Sequence, residues 1–225
     1  MIQTERTELQ RIAERGSRDW NIVNDILDAG FLAAVGFSVG AQPYVIPMLY
    51  GRRGRNIYLH GSAASRIMTR LETGIAVCAT VTLVDGLVLA RSAFNHSMNY
   101  RSVVAFGVAR PIDDPRQKID ALRTISDHLI AGRWNDVRGP NKTELKATTV
   151  LELPIDEASA KIRGGPPVDD QDDLAWRTWA GVLPLGLTSG VPIPDAGLVA
   201  GVELPRYLLE RSVVPVETRE RRSAT

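Results

Sequence analysis

The sequence predicts a mainly β protein, an antiparallel barrel with peripheral helices. Between residues 31 and 111, about six apolar segments alternate with turn residues, and this spacing is typical of antiparallel sheets. The connections there leave little room for the crossover helices that a parallel α/β sheet requires. A chain of 225 residues is long enough to bury a full core in one domain with appended segments.

The region before the first strand predicts an amphipathic helix that ends near Gly30, since glycine is a common helix terminator. Its apolar side chains recur at a spacing of three and four residues, so they share one face of the helix. That face consists of Trp20, Val23, Ile26 and Leu27.

The strand segments follow in order, separated by turn residues. Asp85-Gly86 favours a two-residue hairpin between two of them. Pro47 lacks a backbone N–H, so its strand is expected at an edge, a bulge or a gap in the sheet. The expected strands cover residues 31–37, 44–50, 56–60, 75–84, 87–92, 100–110 and 148–153.

Further helices are expected around the strands. Ser62 is a suitable N-cap for a helix that follows the third strand. Asp114 and Pro115 open a longer helix, because proline is favoured at the first helical position. His128 lies on this longer helix and is expected at the surface. A short helix at residues 143–146 precedes the last strand.

Composition argues against several classes of protein. The 27 Lys and Arg balance 26 Asp and Glu, so no net field favours nucleic acid as a partner. The one cysteine, Cys78, rules out an internal disulfide and is expected to be a buried thiol. No apolar run approaches the roughly 18 residues of a membrane span, and the N-terminus lacks a secretory apolar stretch. We therefore expect no membrane partner and a cytoplasmic location.

The most informative stretch for function begins where the third strand ends. Gly61 permits close backbone approach, and Ser62 and Ser65 supply hydroxyls beside Arg66 at the start of a helix. Helix starts carry partial positive charge, yet no acidic residue follows before Glu72. This arrangement suits a phosphate monoester. A solvated helix start with an unrelated arginine would show the same residues.

A second polar and aromatic stretch, residues 91–102, separates two apolar strands, and it suits a ligand-lining loop and a solvated hairpin end equally well. The histidines, His60, His96 and His128, fit no zinc pattern with the single cysteine. The glycine-rich loops of common nucleotide-binding proteins and the Gly-x-Ser-x-Gly elbow of serine hydrolases are missing from the sequence. We therefore predict no metal site and no catalytic side chain.

Taken together in order, several segments resemble the FMN-binding split-barrel superfamily of pyridoxamine 5′-phosphate oxidase, and within it the branch related to nitroimidazole reductases. The likeness covers roughly residues 20–195. The segments are PYVIPMLY at residues 43–50, IYLHG at 57–61, the pair Ser65-Arg66, HSMNYRSV at 96–103 and WAGVLP at 179–184.

The resemblance implies a six-stranded antiparallel split barrel that forms a homodimer, with FMN sites across the subunit interface. The FMN-binding barrel domain would span residues 20–163, after an N-terminal extension at residues 1–19. Residues 164–225 would form a C-terminal extension that packs on the barrel or on the partner subunit, burying Trp176 or Trp179.

The resemblance also implies roles for particular residues. Ser65 and Arg66 match the positions that hold the flavin phosphate in such proteins. The remaining positions would contact the ring, the ribityl chain or the partner's flavin. Along the ring these are Pro47, Met48 and Leu49; at the phosphate and ribityl end His60, Gly61 and Ser62; on the next strand Thr80 or Thr82; and from the partner subunit Tyr100, Arg101 and Trp179.

The implied function is that of an FMN-dependent oxidoreductase, which passes hydride or electrons from NAD(P)H to a small-molecule acceptor. Flavin chemistry needs no protein general base, consistent with the lack of a catalytic cluster. The C-terminal Arg-x-His signature of vitamin B6 oxidases is missing, so that substrate is not expected. Related branches bind coenzyme F420, FAD or haem. A haem-binding barrel, with His60 or His96 as axial ligand, and a flavin carrier or sensor without turnover are the alternatives.

Overall fold

The computed structural model describes residues 4–8 and 12–210, so the charged C-terminal stretch at residues 211–225 lies outside the described part. The strands are β1 (Gly16–Ser17), β2 (Leu32–Val39), β3 (Gln42–Arg53), β4 (Asn56–Ser62), β5 (Ala76–Leu89), β6 (Ser97–Val108), β7 (Arg110–Pro111), β8 (Thr148–Pro154), β9 (Glu157–Arg163) and β10 (Gly181–Pro184). The helices are α1 (Trp20–Ala29), α2 (Arg66–Leu71), α3 (Pro115–Leu129), α4 (Arg133–Asp136), α5 (Lys142–Ala147) and α6 (Arg206–Leu209).

These strands form one antiparallel sheet in the order β1-β9-β6-β5-β2-β3-β4-β8-β7, with β10 added against β5. Within the described residues the order does not return to its first strand, so the sheet surrounds a core without closing. The prediction of a mainly β antiparallel split barrel with peripheral helices is confirmed.

The main core lies inside the barrel and includes one face of α1. Val23, Ile26 and Leu27 are almost fully buried and belong to the same apolar cluster as strand residues such as Leu59 and Leu151. Asp19 caps the helix by accepting a hydrogen bond from the Asn21 N–H at 2.9 Å. The helix predicted from the spacing of apolar residues is confirmed, because that spacing places its stripe against the barrel.

A second layer forms where α3 lies across β3 and β4. Ile125 packs there in a smaller apolar cluster with Tyr58 and Val150. Gly51 makes this approach possible, because a Cβ at that position would stand 2.6 Å from the Ile125 Cα. His128 is half-buried rather than at the surface, and its Nε2 lies 2.7 Å from the Gly30 carbonyl oxygen. The prediction for His128 was wrong because α3 packs against the end of α1 at this point.

The Tyr50 hydroxyl also fixes the end of α1, and removing this hydroxyl is expected to lower the stability of the protein. The ring is fully buried, and its hydroxyl donates to the Leu27 carbonyl at 2.5 Å. We expect Tyr50→Phe to lower the free energy of unfolding by about 1–3 kcal/mol, since a buried carbonyl would lose its partner. Urea denaturation measures the loss. Tyr44→Phe is the matched control, because that ring is 42% exposed, and an equal loss in both variants would contradict the assignment.

The expected hairpin at Asp85-Gly86 is wrong. The structure has one continuous strand, β5, with a β-bulge where the pairing with β6 shifts between Val84 and Gly86. β10 pairs with β5 on the other side, placing Gly86 opposite Pro184. Pairing on both edges keeps the strand extended through a dipeptide that locally favours a turn, so the tertiary contacts outweigh the local preference.

Two other local predictions also changed. The helix expected to be capped by Ser62 begins three residues later than predicted, with Ser65 at the N-cap, because Ser62 is still paired with Thr148 in β4 and β8. The strand β9 was not predicted. Its residues do not alternate between apolar and polar, because Ala158, Ser159 and Ala160 are all buried although they face opposite sides of the sheet.

The chain divides into two compact units, residues 1–185 and 186–225. In the described part of the second unit, α6 is a single short turn, and apolar side chains are exposed. Among them are Leu187, Val191 and Ile193, each more than 80% exposed. No helix in the described residues has the length and apolar character needed to cross a membrane.

Candidate functional site

A cleft of about 420 Å³ holds two of the predicted site residues, Ser65 and Arg66. It lies between α2 and the end of the hairpin that joins β2 to β3. Its lining residues are Phe37, Val39, Tyr44, Ser65, Arg66, Ile67 and Arg70.

The charge in this cleft is positive and unneutralised. Arg66 and Arg70 stand four residues apart, so their side chains share one face of α2. No lining residue is acidic, and within residues 4–8 and 12–210 neither guanidinium forms an ion pair. Glu72, at the end of the helix, accepts a hydrogen bond from Thr149 instead. The Ser65 hydroxyl makes no capping bond. The cleft therefore offers an anion two cations and a hydroxyl.

One wall of the cleft is aromatic. Phe37 and Tyr44 are opposite each other in the register of β2 and β3. Their rings stack, with centroids 5.4 Å apart and an angle of 15° between planes. Phe37 is 7% exposed and Tyr44 is 42% exposed. The tyrosine ring therefore contributes accessible surface to the cleft, and the buried Phe37 ring packs behind it.

Pro47, Leu49 and Thr80 lie on the outer face of the barrel, the opposite face of the sheet from the one that carries Phe37 and Tyr44. Residues opposite each other in paired strands share a face, and Ala34 is opposite both Pro47 and Thr80. Leu49 and its partner Leu32 continue this face, 41% and 50% exposed. The outer face is therefore smooth and apolar, with the Thr80 hydroxyl within it.

Other predicted residues point elsewhere. Met48 alternates with Pro47 and Leu49, so it faces inward and packs against the main core. Gly61 faces α2, since a Cβ there would meet the Met68 side chain at 2.8 Å. Ser62 stays exposed, and its Oγ accepts a hydrogen bond from the Ala64 N–H at 3.3 Å. None of these three lines the cleft of Ser65 and Arg66.

His60 lines a separate and larger cavity of about 690 Å³, bounded by α3, α4 and α5. His60 stays exposed where it lines this cavity, and partial desolvation lowers the pKa of its imidazole below the ordinary value, since desolvation disfavours the charged imidazolium. A neutral imidazole in an apolar cavity can donate a lone pair to a metal. The other lining residues are Leu122, Ile125, Ser126, Leu129, Trp134, Val137, Arg138, Pro140 and Glu144.

The rim of this cavity carries an ion pair between Arg138 and Glu144, with 2.6 Å between Nη2 and Oε1. Arg138 and the Asn141 N–H lower the pKa of Glu144 from 4.5 to about 2. We expect the stability from this carboxylate to be present above pH 4.5 and to be lost as the pH falls through about 2. NMR titration of the carboxyl carbon measures the pKa, and Arg138→Gln should raise it; an unchanged value would contradict the pairing.

Tyr100, Arg101 and Trp179 do not line either cavity. Arg101 forms a two-point ion pair with Asp85 of the bulge, with N···O distances of 2.7 and 2.9 Å. Trp179 is 66% exposed, and its indole covers Gly181. Tyr100 lies opposite Val84, next to the β-bulge in β5. Their predicted contacts with a partner's flavin stay predictions.

The polar stretch at residues 91–102 is tied to the segment after β9. Asp169 accepts from both the Arg91 backbone N–H and its guanidinium, each at 2.7 Å. Arg163 donates to the Asn99 side chain nearby. His96 is exposed and lines neither cavity. The stretch is thus an ordered connection, and His60 is the histidine better placed to bind a ligand.

The sequence reasoning missed five of the residues that line the cleft: Phe37, Val39, Tyr44, Ile67 and Arg70. Arg70 had a signal, because a helical residue four positions after Arg66 must lie beside it. The aromatic pair had none, because the ends of β2 and β3 meet α2 only in the folded chain.

The fold and the site together give the class of protein: an antiparallel split barrel with a cationic cleft beside the hairpin of β2 and β3. The family model described as pyridoxamine 5′-phosphate oxidase matches residues 19–162. The chain belongs to the pyridoxamine 5′-phosphate oxidase family, which confirms the resemblance read from the sequence. A comparison with curated proteins finds no match.

Solved structures support this membership. The flavocytochrome Anf3 from Azotobacter vinelandii is 40% identical, with a TM-score of 0.86 over 94% of this chain and 98% of that one. The FAD and haem binding protein from Mycobacterium smegmatis is 34% identical, with a TM-score of 0.84 over 88% and 97%. A candidate 5-nitroimidazole antibiotic resistance protein from Bacteroides thetaiotaomicron shares the fold, at 24% identity and a TM-score of 0.54 over 65% and 86%.

Proposed function

We propose that this protein is a flavin-nucleotide-binding oxidoreductase. The observation that carries the proposal is the cleft in which Ser65 and Arg66 lie without any carboxylate partner. A phosphate ester supplies the missing negative charge and accepts charge-assisted hydrogen bonds from both residues. This is the site expected for FMN from the sequence, and relatives described as a flavocytochrome and as FAD-binding support a flavin.

The ring of the flavin would lie on the outer face beyond the cleft. Pro47 is three residues from Tyr44 along β3, so the two side chains lie on opposite faces of the sheet. A flavin held by its phosphate in the cleft would therefore pass the end of the hairpin of β2 and β3 to place its ring against Pro47. Leu49 and Thr80 would then contact the ring from the same face. A flavin supplies hydride and single-electron transfer, while the protein supplies position and a dry surface.

A second copy of the chain would cover this face. Val45, Leu49 and Leu32 are 70%, 41% and 50% exposed on adjacent strands, and contiguous apolar surface of this kind marks an interaction site. A homodimer would bury the face and enclose the flavin from both sides. Trp179, 66% exposed, would then be available to the partner's site. Tyr100 and Arg101 are half-buried, and Arg101 would first have to leave its ion pair with Asp85.

The flavin proposal is tested with purified protein and with Arg66→Gln. We expect a flavin band at ~450 nm, which belongs to the cofactor itself. The variant should bind flavin about tenfold to a hundredfold more weakly, because it loses a charged hydrogen bond. Arg110→Gln, another exposed arginine outside the cleft, should bind like the wild type. Wild-type protein that takes up no added flavin would overturn the proposal.

The oxidoreductase role is tested by adding NADH or NADPH without oxygen. Bleaching of the flavin band, followed by its return with an electron acceptor, is the expected result. Flavin that binds but is reduced by neither nucleotide would favour the carrier or sensor instead, because the same residues serve both roles.

Haem is a second candidate cofactor, and the position of His60 favours it. The cavity beside His60 is walled by side chains such as Leu122, Leu129 and Trp134, and Arg138 stands at its rim. An apolar cavity with a neutral imidazole suits a macrocycle. The relatives described as a flavocytochrome and as FAD- and haem-binding support the assignment.

Haem titration into His60→Ala and His96→Ala distinguishes the two histidines. We expect wild-type protein and His96→Ala to develop the Soret band of a histidine-ligated haem, and His60→Ala to lose it. Loss of the band in His96→Ala alone would place the ligand on the loop before β6 and overturn the assignment to His60.

A further inference from the structure

A third cavity, the N-terminal cavity, lies between the N-terminal segment and β9 and has a volume of about 410 Å³. The N-terminal segment is fixed to the sheet here, because Thr4 and Arg6 both donate to the Glu157 carboxylate of β9. The polar residues that line the cavity are Thr7, Glu8, Ser17, Arg18 and Ser159. Neither the flavin nor the haem proposal uses any of them.

The N-terminal cavity lies on the face of the sheet that would carry the flavin ring. Residues opposite each other in paired strands share a face. Thr80 is opposite Val104, and Val104 is opposite Ser159. Neighbouring strands are about 4.8 Å apart, so Ser159 lies roughly 10 Å from Thr80 in the same row. A small molecule held in the cavity would therefore extend toward the expected position of the ring.

Ser159 supplies a hydroxyl that has no partner within the described residues. The residue is only 8% exposed, and its Oγ makes no hydrogen bond to any residue that the structure describes. Buried hydroxyls are normally hydrogen-bonded. This one is therefore available to a polar ligand that enters the cavity.

Arg18 gives the cavity a positive charge. Among the described residues its guanidinium forms no ion pair and makes one long hydrogen bond, to the Thr7 carbonyl at 3.5 Å. A guanidinium has five N–H donors, so most of them remain for a ligand. Arg18 directly follows Ser17, which is opposite Ala160. This register places Arg18 beside Ser159, and the two side chains together suit the oxygens of one carboxylate.

Glu8 also lines the cavity, and its charge opposes a bound anion. Glu8 is exposed, whereas Arg18 is half-buried. Water and salt screen an exposed charge more strongly than a half-buried one. The positive charge of Arg18 therefore has the larger effect inside the cavity.

We propose that the N-terminal cavity binds the carboxylate of a small-molecule substrate, which Arg18 and Ser159 recognise. This inference rests on the proposed flavin function, because it directs the rest of the substrate toward Thr80 and the ring. The substrate class is a small organic acid, and its uncharged analogues bind more weakly.

Benzoate and its neutral analogue benzamide test this assignment on flavin-loaded protein. Isothermal titration calorimetry gives the two dissociation constants, and wild-type protein should bind benzoate at least about tenfold more tightly than benzamide. Bound benzoate should also shift the flavin band, because its ring would lie against that of the flavin.

Substitutions in the cavity separate the contributions of its charges. Arg18→Gln should weaken benzoate about tenfold or more, the loss of one charged hydrogen bond, and should leave benzamide within about twofold. Arg18→Lys should retain part of the affinity, because it keeps the charge without the planar fork. Glu8→Gln should strengthen benzoate, because it removes a like charge. Arg15→Gln is the matched control and should bind benzoate like the wild type, since Arg15 is also half-buried but does not line the cavity.

Equal affinity of wild-type protein for benzoate and benzamide would overturn the inference, as would an Arg18→Gln variant that binds benzoate like the wild type. Benzoate that binds without shifting the flavin band would also overturn it, because the cavity would then not adjoin the ring. In these cases flavin still binds, and the proposed function stands. Wild-type protein that takes up no flavin would overturn the proposed function and this inference together.

Discussion

Gly107→Ala is expected to lower the free energy of unfolding by about 3 kcal/mol, the upper end of the usual cost of overpacking. Gly107 lies in β6 where that strand crosses the end of β8. A Cβ at this position would stand 2.1 Å from the Pro154 carbonyl oxygen and 3.0 Å from the Leu153 Cδ1. The first contact is with backbone, so no side-chain rotation relieves it. β6 and β8 would have to separate, which opens the barrel beside its core.

Urea denaturation followed by circular dichroism measures this loss, and Gly139→Ala is the matched control. A Cβ at Gly139 would meet no atom within 4 Å, so the same substitution there should leave the midpoint nearly unchanged. Equal midpoints for the two variants would show that the strands approach less closely than described.

Ala34→Glu is expected to convert the proposed homodimer to a monomer. Ala34 is exposed at the centre of the outer face, between Pro47 and Thr80. In a two-fold symmetric dimer one substitution places two carboxylates in the interface. An unpaired charge buried in an apolar contact costs several kcal/mol, which exceeds what such a face can offset. Flavin content should fall as well, both because the ring would lose its cover and because the new carboxylate lies between Pro47 and Thr80, which would contact the ring.

Light scattering coupled to size-exclusion chromatography gives the mass of each species. Ala131→Glu adds the same charge at an exposed alanine after α3, and this variant should remain a dimer. A wild-type protein that elutes as a monomer, or an Ala34→Glu variant that elutes as a dimer, would contradict the proposed interface.

The cleft shows how far the sequence could predict a site. Ser65 and Arg66 were found because an arginine at a helix start without a nearby acid is visible in the sequence and matches a family motif. Phe37 and Tyr44 were not, because they come from a hairpin more than 20 residues away along the chain. His60, five residues before Ser65, was expected in the same site and instead faces another cavity, because alternation along β4 turns it toward α3.

What the sequence by itself determined is the set of features that local spacing controls. α1 follows from apolar residues at helical intervals, α3 begins at Asp114 and Pro115, and the mainly β class follows from short segments between turns. The tertiary structure alone decided the bulge at Asp85, the inward direction of Met48 and the position of Arg70 in the same cleft as Phe37 and Tyr44. These depend on which strand or helix lies alongside, and no property of neighbouring residues in the chain specifies that.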